Sequence, residues 1–485
     1  MINIIVCVSY LALMITISAW FSRKKEVDGG EDFVIAGQTL PSFVVAGTLL
    51  TTFVGSGSII GGASFAFQNG PLTGVFFFLG TLVGALILGV GAKAIRRKSF
   101  HTVPELLRSR FGRPAAILGT VLVLLAFIGI AATQFTGAGY IFSLITPLSA
   151  SQGTIIALFL ITFIAMSGGL KSVAWTDFLS ALLIIVGLLL ALAYIFIQDF
   201  GGFGTYVDRL EPTMKSVTGN LGPIQILGFF LPTFLLCLGD QNMHQRLAAA
   251  KSENSAQRAT IYFFIGGLFI IVPIILLASA ASVINPGTDP DMAVLGLAAE
   301  NFMPSGVGAI ILAAALALVI TTGSSYLLTC SGNVVFDLLG QRRNNNPEST
   351  KAFDSQKQLL VARISVVTIA ILGYVLSSFF PTFLSLQMYA YTVYGAALTP
   401  VIWAALFWSR VSRAGAITSM IVGVTITIGW EIFGEGVNSV VVAFPFSVAA
   451  LIIVSLFTKS APMSSTTVGD GPTRKSESTS ENVSP

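Results

Sequence analysis

The residues best suited to chemistry in this sequence carry neutral oxygens. Thr321, Thr322, Ser324 and Ser325 stand around Gly323 in an otherwise apolar run. On a helix, positions three and four apart are neighbours, so the four hydroxyls converge near the middle of that run. Taken alone, such hydroxyls bond their own backbone. A second stretch adds to them. Leu40 to Gly70 is long enough to cross a bilayer, and its middle, Thr51 to Gly62 (TTFVGSGSIIGG), holds two threonines, two serines and four glycines. Glycine costs about 1 kcal/mol relative to alanine inside a helix. One reading is a glycine-rich face for close helix packing. The other is a membrane helix interrupted near its middle. Carbonyls freed at such a break cannot face lipid and must line an enclosed cavity. Unwound carbonyls and neutral hydroxyls suit a hard cation. They hold a monovalent ion such as sodium weakly enough to release it.

Little else in the chain supports chemistry. Asp177 and Asp240 are the acidic residues set inside apolar spans, and each also reads as a helix cap. Asp177 follows Trp175 and Thr176 at a helix start, where a carboxylate favours the dipole. His101 and His244 lie far apart beside basic loops, and Cys7, Cys237 and Cys330 have no metal or disulfide spacing. Gly55-Ser-Gly57 lacks the third glycine of a nucleotide loop, and no Walker motif is present. An enzyme would need a nucleophile, base or metal cluster, and none is seen, so the expectation is no enzyme and no cofactor.

The elements that must position these oxygens are membrane helices. Of the 485 residues, 54% are hydrophobic and 10% charged, against about 25% charged in soluble domains. The class is an all-α polytopic membrane protein, whose partner is the lipid bilayer. The net charge of +4 reflects topology, not nucleic acid. Residues 1–22 form a first span, followed by Arg23, Lys24 and Lys25, a stop-transfer pattern that places the N-terminus outside. Twelve more spans begin near Leu40, Thr73, Ala116, Thr154, Asp177, Pro223, Thr260, Gly306, Leu360, Phe383, Ala414 and Val440. With about 13 transmembrane helices, all 26 Lys and Arg except Arg209 and Lys215 fall on the cytoplasmic side, Arg246 to Arg258 among them. Residues 459–485 read as a disordered cytoplasmic tail, and its Asn482-Val-Ser triplet lies inside.

Several motifs, in order, give the chain a family resemblance. They are Phe33 to Pro41 (FVIAGQTLP), Gly168 to Asp177 (GGLKSVAWTD), Gly239 to Ser252 (GDQNMHQRLAAAKS), Thr321 to Leu328 (TTGSSYLL) and Tyr391 to Pro400. Across about residues 30 to 430 the sequence resembles the sodium:solute symporter family. The resemblance implies a LeuT-like core of two inverted five-helix repeats, residues 40–199 and 223–408, each with its first helix interrupted. Pro223, Pro232 and Gly239 are the breakers expected in the second repeat. Two further helices would occupy residues 414–458.

The resemblance also implies sites. The main sodium ion would take the carbonyls of Thr51, Val54 and Leu318 and the hydroxyls of Thr321 and Thr322. A second sodium would use Asp177, Thr321, Ser324 and Ser325. The solute pocket would involve Phe53, Ser58, Phe77, Gln134, Thr233, Leu236, Tyr391 and Thr392, with Tyr326 and Gln387 nearby. The family's sugar carriers hold hydrogen-bonding side chains where this chain has Ser58, Phe77, Thr233, Leu236 and Thr392, so a hexose is disfavoured. The aspartate of the proline carriers' broken helix falls at Phe53. No arginine is expected in the pocket, which disfavours a strongly anionic solute. An organic cation against Phe53 lacks a neighbouring acid. What remains is a small, partly apolar solute such as an amino acid, monocarboxylate or vitamin-like acid. The implied activity is sodium-coupled import by alternating access, by a monomer in the bacterial inner membrane with its C-terminus cytoplasmic. The alternatives are proton coupling through Asp177, a solute sensor on a transporter scaffold, and a channel.

Overall fold

The computed structural model describes residues 2–21, 36–166, 170–300, 302–339 and 355–461. The stop-transfer cluster after residue 21, Gly168 and Gly169 of the second motif, and the tail beyond residue 461 with Asn482 lie outside them.

Among the described residues the chain is helical throughout. In order it forms α1 (Ile2–Phe21), α2 (Ser42–Phe53), α3 (Gly57–Asn69), α4 (Pro71–Lys98), α5 (Val103–Phe111), α6 (Arg113–Ile145), α7 (Ala150–Ala165), α8 (Leu170–Gln198) and α9 (Phe203–Arg209). It continues with α10 (Pro223–Gly239), α11 (Gln241–Ala248), α12 (Glu253–Ile284), α13 (Ala293–Ala299), α14 (Ser305–Gly332), α15 (Ser355–Ser377), α16 (Phe383–Ala397), α17 (Thr399–Phe407), α18 (Arg413–Phe433) and α19 (Val440–Phe457). Among the described residues, ten helical segments are long and apolar enough to cross a membrane, and the bent pair α2–α3 makes eleven. The expected first and fifth spans correspond to α1 and α7. α1 is 20 residues long, enough for a crossing, whereas α7 has 16.

Local signals set the boundaries. Gly70, at φ +87°, turns the chain between α3 and α4, a conformation that other residues rarely adopt. Pro71 then occupies the first turn of α4, where its missing N–H costs nothing. Thr102 caps α5 by accepting the Glu105 N–H at 3.1 Å, and Ser149 and Gln152 form a reciprocal capping box on α7.

Burial separates a core from a periphery. In Ser305–Leu338, which contains α14, 83% of the apolar window is buried. In Leu360–Ser377 the share is 22%, and in α18 and α19 it is 28%. The hydroxyl-rich helix is therefore enclosed by protein, while α15, α18 and α19 leave most of their apolar surface uncovered by the rest of the chain. α14 packs on α1, α6, α8, α7 and α15, and α4 runs along α10 and α12. The α4–α10 contact depends on Gly80. A Cβ there would collide with the Thr233 hydroxyl and the Phe230 carbonyl, and would stand 2.9 Å from the Phe234 nitrogen. Backbone cannot give way as a side chain can, so Gly80→Ala should destabilise the protein by about 1–3 kcal/mol. A lowered midpoint of thermal unfolding in detergent checks this, and an unchanged midpoint contradicts it.

One further contact ties distant segments. Leu40, just before α2, donates its N–H to the Ala249 carbonyl at 3.2 Å and accepts from the Lys251 N–H at 3.0 Å. This short parallel bridge joins the start of α2 to the residues that follow α11.

Candidate functional site

The first interrupted helix builds one half of the site. α2 ends at Phe53 with Val54 as its C-cap (φ −85°, ψ 24°), and α3 leaves at 59° to it. The last backbone bond of α2 runs from the Val54 N–H to the Leu50 carbonyl at 2.7 Å, and the chain resumes with the Ser58 N–H on the Gly55 carbonyl at 3.2 Å. The carbonyls of residues 51 to 54 are thus the four orphans of a helix C-terminus. Two have side-chain donors. The Thr322 hydroxyl of α14 donates to the Thr51 carbonyl at 3.1 Å, and the Ser58 hydroxyl donates to the Phe53 carbonyl at 2.8 Å. The first turn of α3, Gly57–Gly62, is a π-helix, a distortion frequent at functional positions.

The glycines serve close approach as well as the break. A Cβ on Gly55 would lie 2.9 Å from Gln134 Oε1 and 3.1 Å from Thr322 Cγ2, and one on Gly57 would collide with the Tyr391 hydroxyl. Gln134 Oε1 also accepts the Ser56 N–H at 3.0 Å, pinning the unwound segment to α6. Both readings of TTFVGSGSIIGG therefore hold at once.

A second interruption separates α10 from α11 at Asp240 (φ −53°, ψ 121°). Side chains from α16 and α17 bond the carbonyls of Leu238 and Gly239 released there, and that of Leu235 in the last turn of α10. Tyr394 donates its hydroxyl to the Gly239 carbonyl at 2.9 Å, Thr399 donates to Leu235 at 2.8 Å, and Trp403 donates to Leu238 at 3.0 Å. Gly239 faces Thr399 and Tyr394 closely enough that a Cβ would displace them. Asp240 itself accepts the Asn242 N–H at 2.6 Å and the Tyr326 hydroxyl at 2.5 Å.

The two breaks face a shared cavity of about 20 Å³, room for about one water. Phe53, Gln134, Thr233, Leu236, Tyr326 and Tyr391 line it, as does Thr322. Ser58, Phe77 and Thr392 do not. Ser58 is turned onto the Phe53 carbonyl, Phe77 packs in a ring cluster with Phe65 and Phe78, and Thr392 bonds Asn438 at 3.0 Å. Gln387 lies behind the wall against Gly57 and Gly61. Sequence reasoning missed Thr52, Thr81, Cys237, Met243 and, above all, Asp240. Asp240 follows Gly239, already named as a breaker, and that adjacency was the available signal. Asp240 is a cap, of α11, but within the span Pro223–Ala248 and 1% exposed in the cavity wall rather than at the end of a span.

A polar core lies beside the cavity. Asp177 is buried, accepts the Thr48 hydroxyl at 2.6 Å, and has the Thr51 and Thr321 hydroxyls beside its carboxylate. Its Oδ1 has no hydrogen-bond partner. Arg246, counted from sequence among the cations of a cytoplasmic segment, is 1% exposed, with a guanidinium nitrogen 3.7 Å from Asp177 Oδ2. It also donates to Thr48 at 2.8 Å and to Ser325 at 3.4 Å. Long side chains that cannot reach water pair internally, which overrode its position beside a basic loop. Ser324 bonds the Thr321 carbonyl at 3.0 Å, and Thr321 bonds the Leu318 carbonyl at 3.2 Å. The end of the bundle that carries α5 is closed by polar contacts. Gln241 donates to Asn333 at 2.9 Å and accepts the Val103 N–H at 3.0 Å, while Thr102 donates to Asp337 at 3.1 Å.

The chain is similar to several known proteins. A sodium/proline symporter of Staphylococcus aureus is 24% identical over 484 residues, covering 94% of this chain and 92% of its own. A sodium/proline symporter of S. aureus strain JH9 is 26% identical over 381 residues, 74% of this chain and 73% of its own. A solved Na+-coupled sialic acid symporter, outward-open with substrate bound, superposes with a TM-score of 0.78 at 19% identity, over 96% of this chain and 99% of that one. MhsT in complex with L-phenylalanine gives 0.55 at 15% identity, over 86% and 97%. The fold is thus that of LeuT-like secondary transporters, and the protein is a multi-pass membrane protein. Residues 33–423 match the sodium:solute symporter family, and the chain belongs to that family.

Proposed function

We propose that this protein is a sodium-coupled symporter that imports a small organic solute by alternating access. The observation that carries the reading is the Thr322 hydroxyl set 3.1 Å from the Thr51 carbonyl at the interruption of the first core helix. Oxygens bound at about 2.4 Å to one hard cation, on adjacent corners of an octahedron, stand about 3.4 Å apart. The pair needs only a slight opening to hold an ion between them. The main site is then Thr51, Val54, Leu318, Thr321 and Thr322. Sodium would draw α14 onto the broken helix, and solute would bind beside it once the cavity, which now has room for about one water, widens.

A second sodium would sit at Asp177 with Thr321, Ser324 and Ser325. The unpartnered Asp177 Oδ1 supports it, as does the novel Na+-site described for the sialic acid symporter. The Arg246 guanidinium opposes it, because it already neutralises the same carboxylate. The inverted repeats over 40–199 and 223–408 account for two interruptions facing one cavity. The basic loops support an N-terminus outside and a C-terminus in the cytoplasm of a bacterial cell. The sodium/proline relatives favour an amino acid within the solute range.

A thermal-shift screen of small solutes, run in sodium and again in potassium, finds the cargo. Uptake of that cargo into reconstituted vesicles should then require an inward sodium gradient. Equal uptake with and without the gradient would reject sodium coupling. Uptake driven by pH alone would transfer the role to a proton at Asp177.

A further inference from the structure

The wall of the cavity carries one acid and, among the described residues that line it, no base. Asp240 is 1% exposed, and no lysine, arginine or histidine among the described residues pairs with it. Arg246, the nearest candidate by sequence, is committed elsewhere. Its guanidinium lies 3.7 Å from Asp177 and donates to Thr48, Ser325 and the Asn242 carbonyl. Asp177 takes the contact with Arg246, whose charge reaches Asp240 only through space, so Asp240 is left away from water with no cation in contact. Such a charge is costly unless a partner arrives. The hydrogen bonds that Asp240 accepts from Tyr326 and the Asn242 N–H, with the Met243 N–H beside them, still leave spare capacity on a carboxylate with about four acceptor positions.

The remaining wall suits one kind of partner. Phe53, Tyr326 and Tyr391 line the same small space. Aromatic rings and a buried carboxylate together favour a cationic nitrogen with small apolar substituents. The acid missing beside Phe53 in the sequence is supplied by the second interrupted helix. We infer that the solute carries a protonated or quaternary nitrogen, and that Asp240 anchors it at the break between α10 and α11. This rests on the symporter reading and narrows its substrate. Monocarboxylates and vitamin-like acids without such a nitrogen are then not cargo. Asp240 would also couple solute to gating, since it caps α11 while its neighbour Gln241 holds the α5 end closed.

The test uses the full chain in detergent and in vesicles, with sodium present. The probes are choline, ethanolamine and proline, set against lactate, pyruvate, pantothenate and glycerol. The expected result is that binding, read as a thermal shift and as uptake, is confined to the first group. For the solute that binds, a neutral analogue of equal shape should bind at least tenfold more weakly. For choline that analogue is 3,3-dimethylbutanol, for ethanolamine 1-propanol, and for proline cyclopentanecarboxylate, in which an uncharged carbon stands in the nitrogen's place. Asp240→Asn keeps an N-cap acceptor for Asn242 and an acceptor for Tyr326, so it should fold. It should lose at least tenfold in solute affinity while the shift produced by sodium alone stays as in the parent. Loss of the sodium shift in the parent protein would instead be failure of the symporter reading. Equal binding of the neutral analogue overturns the assignment whether or not the variant folds. So does a preference for the second group, the absence of any cationic hit, or an Asp240→Asn affinity within twofold of the parent.

Discussion

Thr322→Val should raise the sodium concentration for half-maximal uptake by about tenfold to a hundredfold, with little change in folding. Valine has nearly the shape of threonine, and the site is buried, so the change removes an oxygen and little else. A ligand to a charged group is worth about 1.5–3 kcal/mol, and each 1.4 kcal/mol is about tenfold in affinity. The hydroxyl of Thr322 bridges two helices by meeting the Thr51 carbonyl, so its loss should act on the ion and on the closure of α14 against α2. Sodium titration of uptake in vesicles measures the effect. Ser331→Ala is the control, because Ser331 bonds the Ala362 carbonyl at 3.0 Å on the face of the helix toward α15. A sodium dependence within twofold of the parent for Thr322→Val would place the ion elsewhere.

Arg246→Met should produce the largest loss of stability, about 3–5 kcal/mol, the cost of leaving one member of a buried ion pair alone. The change orphans Asp177, which is fully enclosed, and strips donors from Thr48 and Ser325. The double change Asp177→Leu with Arg246→Met should recover much of the loss, since an apolar pair of similar volume is often no worse than the ions. Sodium adds a diagnostic. If Asp177 can hold a cation, high sodium should raise the unfolding midpoint of Arg246→Met more than that of the parent, and N-methylglucamine should not. Equal midpoints for the single variant and the parent would mean that the pair contributes nothing to the fold.

The membrane class, the order of the helices and the first interruption were legible because each rests on a pattern extended along the chain. Apolar runs, basic loops and a glycine-rich dip need no knowledge of partners. Thr51, Thr321 and Thr322 were legible for a similar reason, as oxygens set where lipid forbids them. What sequence could not resolve was contact between elements far apart. Ser58 and Thr392 have the right chemistry, but their hydroxyls are spent on Phe53 and Asn438. Arg246 sits beside a basic loop in sequence yet turns inward, because Asp177, 69 positions earlier, waits for it. Asp240 looked like the end of a span because Gly239 and the polar run after it imitate a loop. Only the closure of α16 and α17 over its carbonyls shows that the helix resumes inside the protein.

The bridge at Leu40 carries a mechanical consequence. Two backbone hydrogen bonds fasten the foot of the first broken helix to the foot of the second. Neither stub can swing alone without breaking these two main-chain hydrogen bonds. Opening at that end must therefore turn both as a single leaf, with its pivots at the two interruptions, and ion and solute leave through one coordinated movement rather than by separate doors.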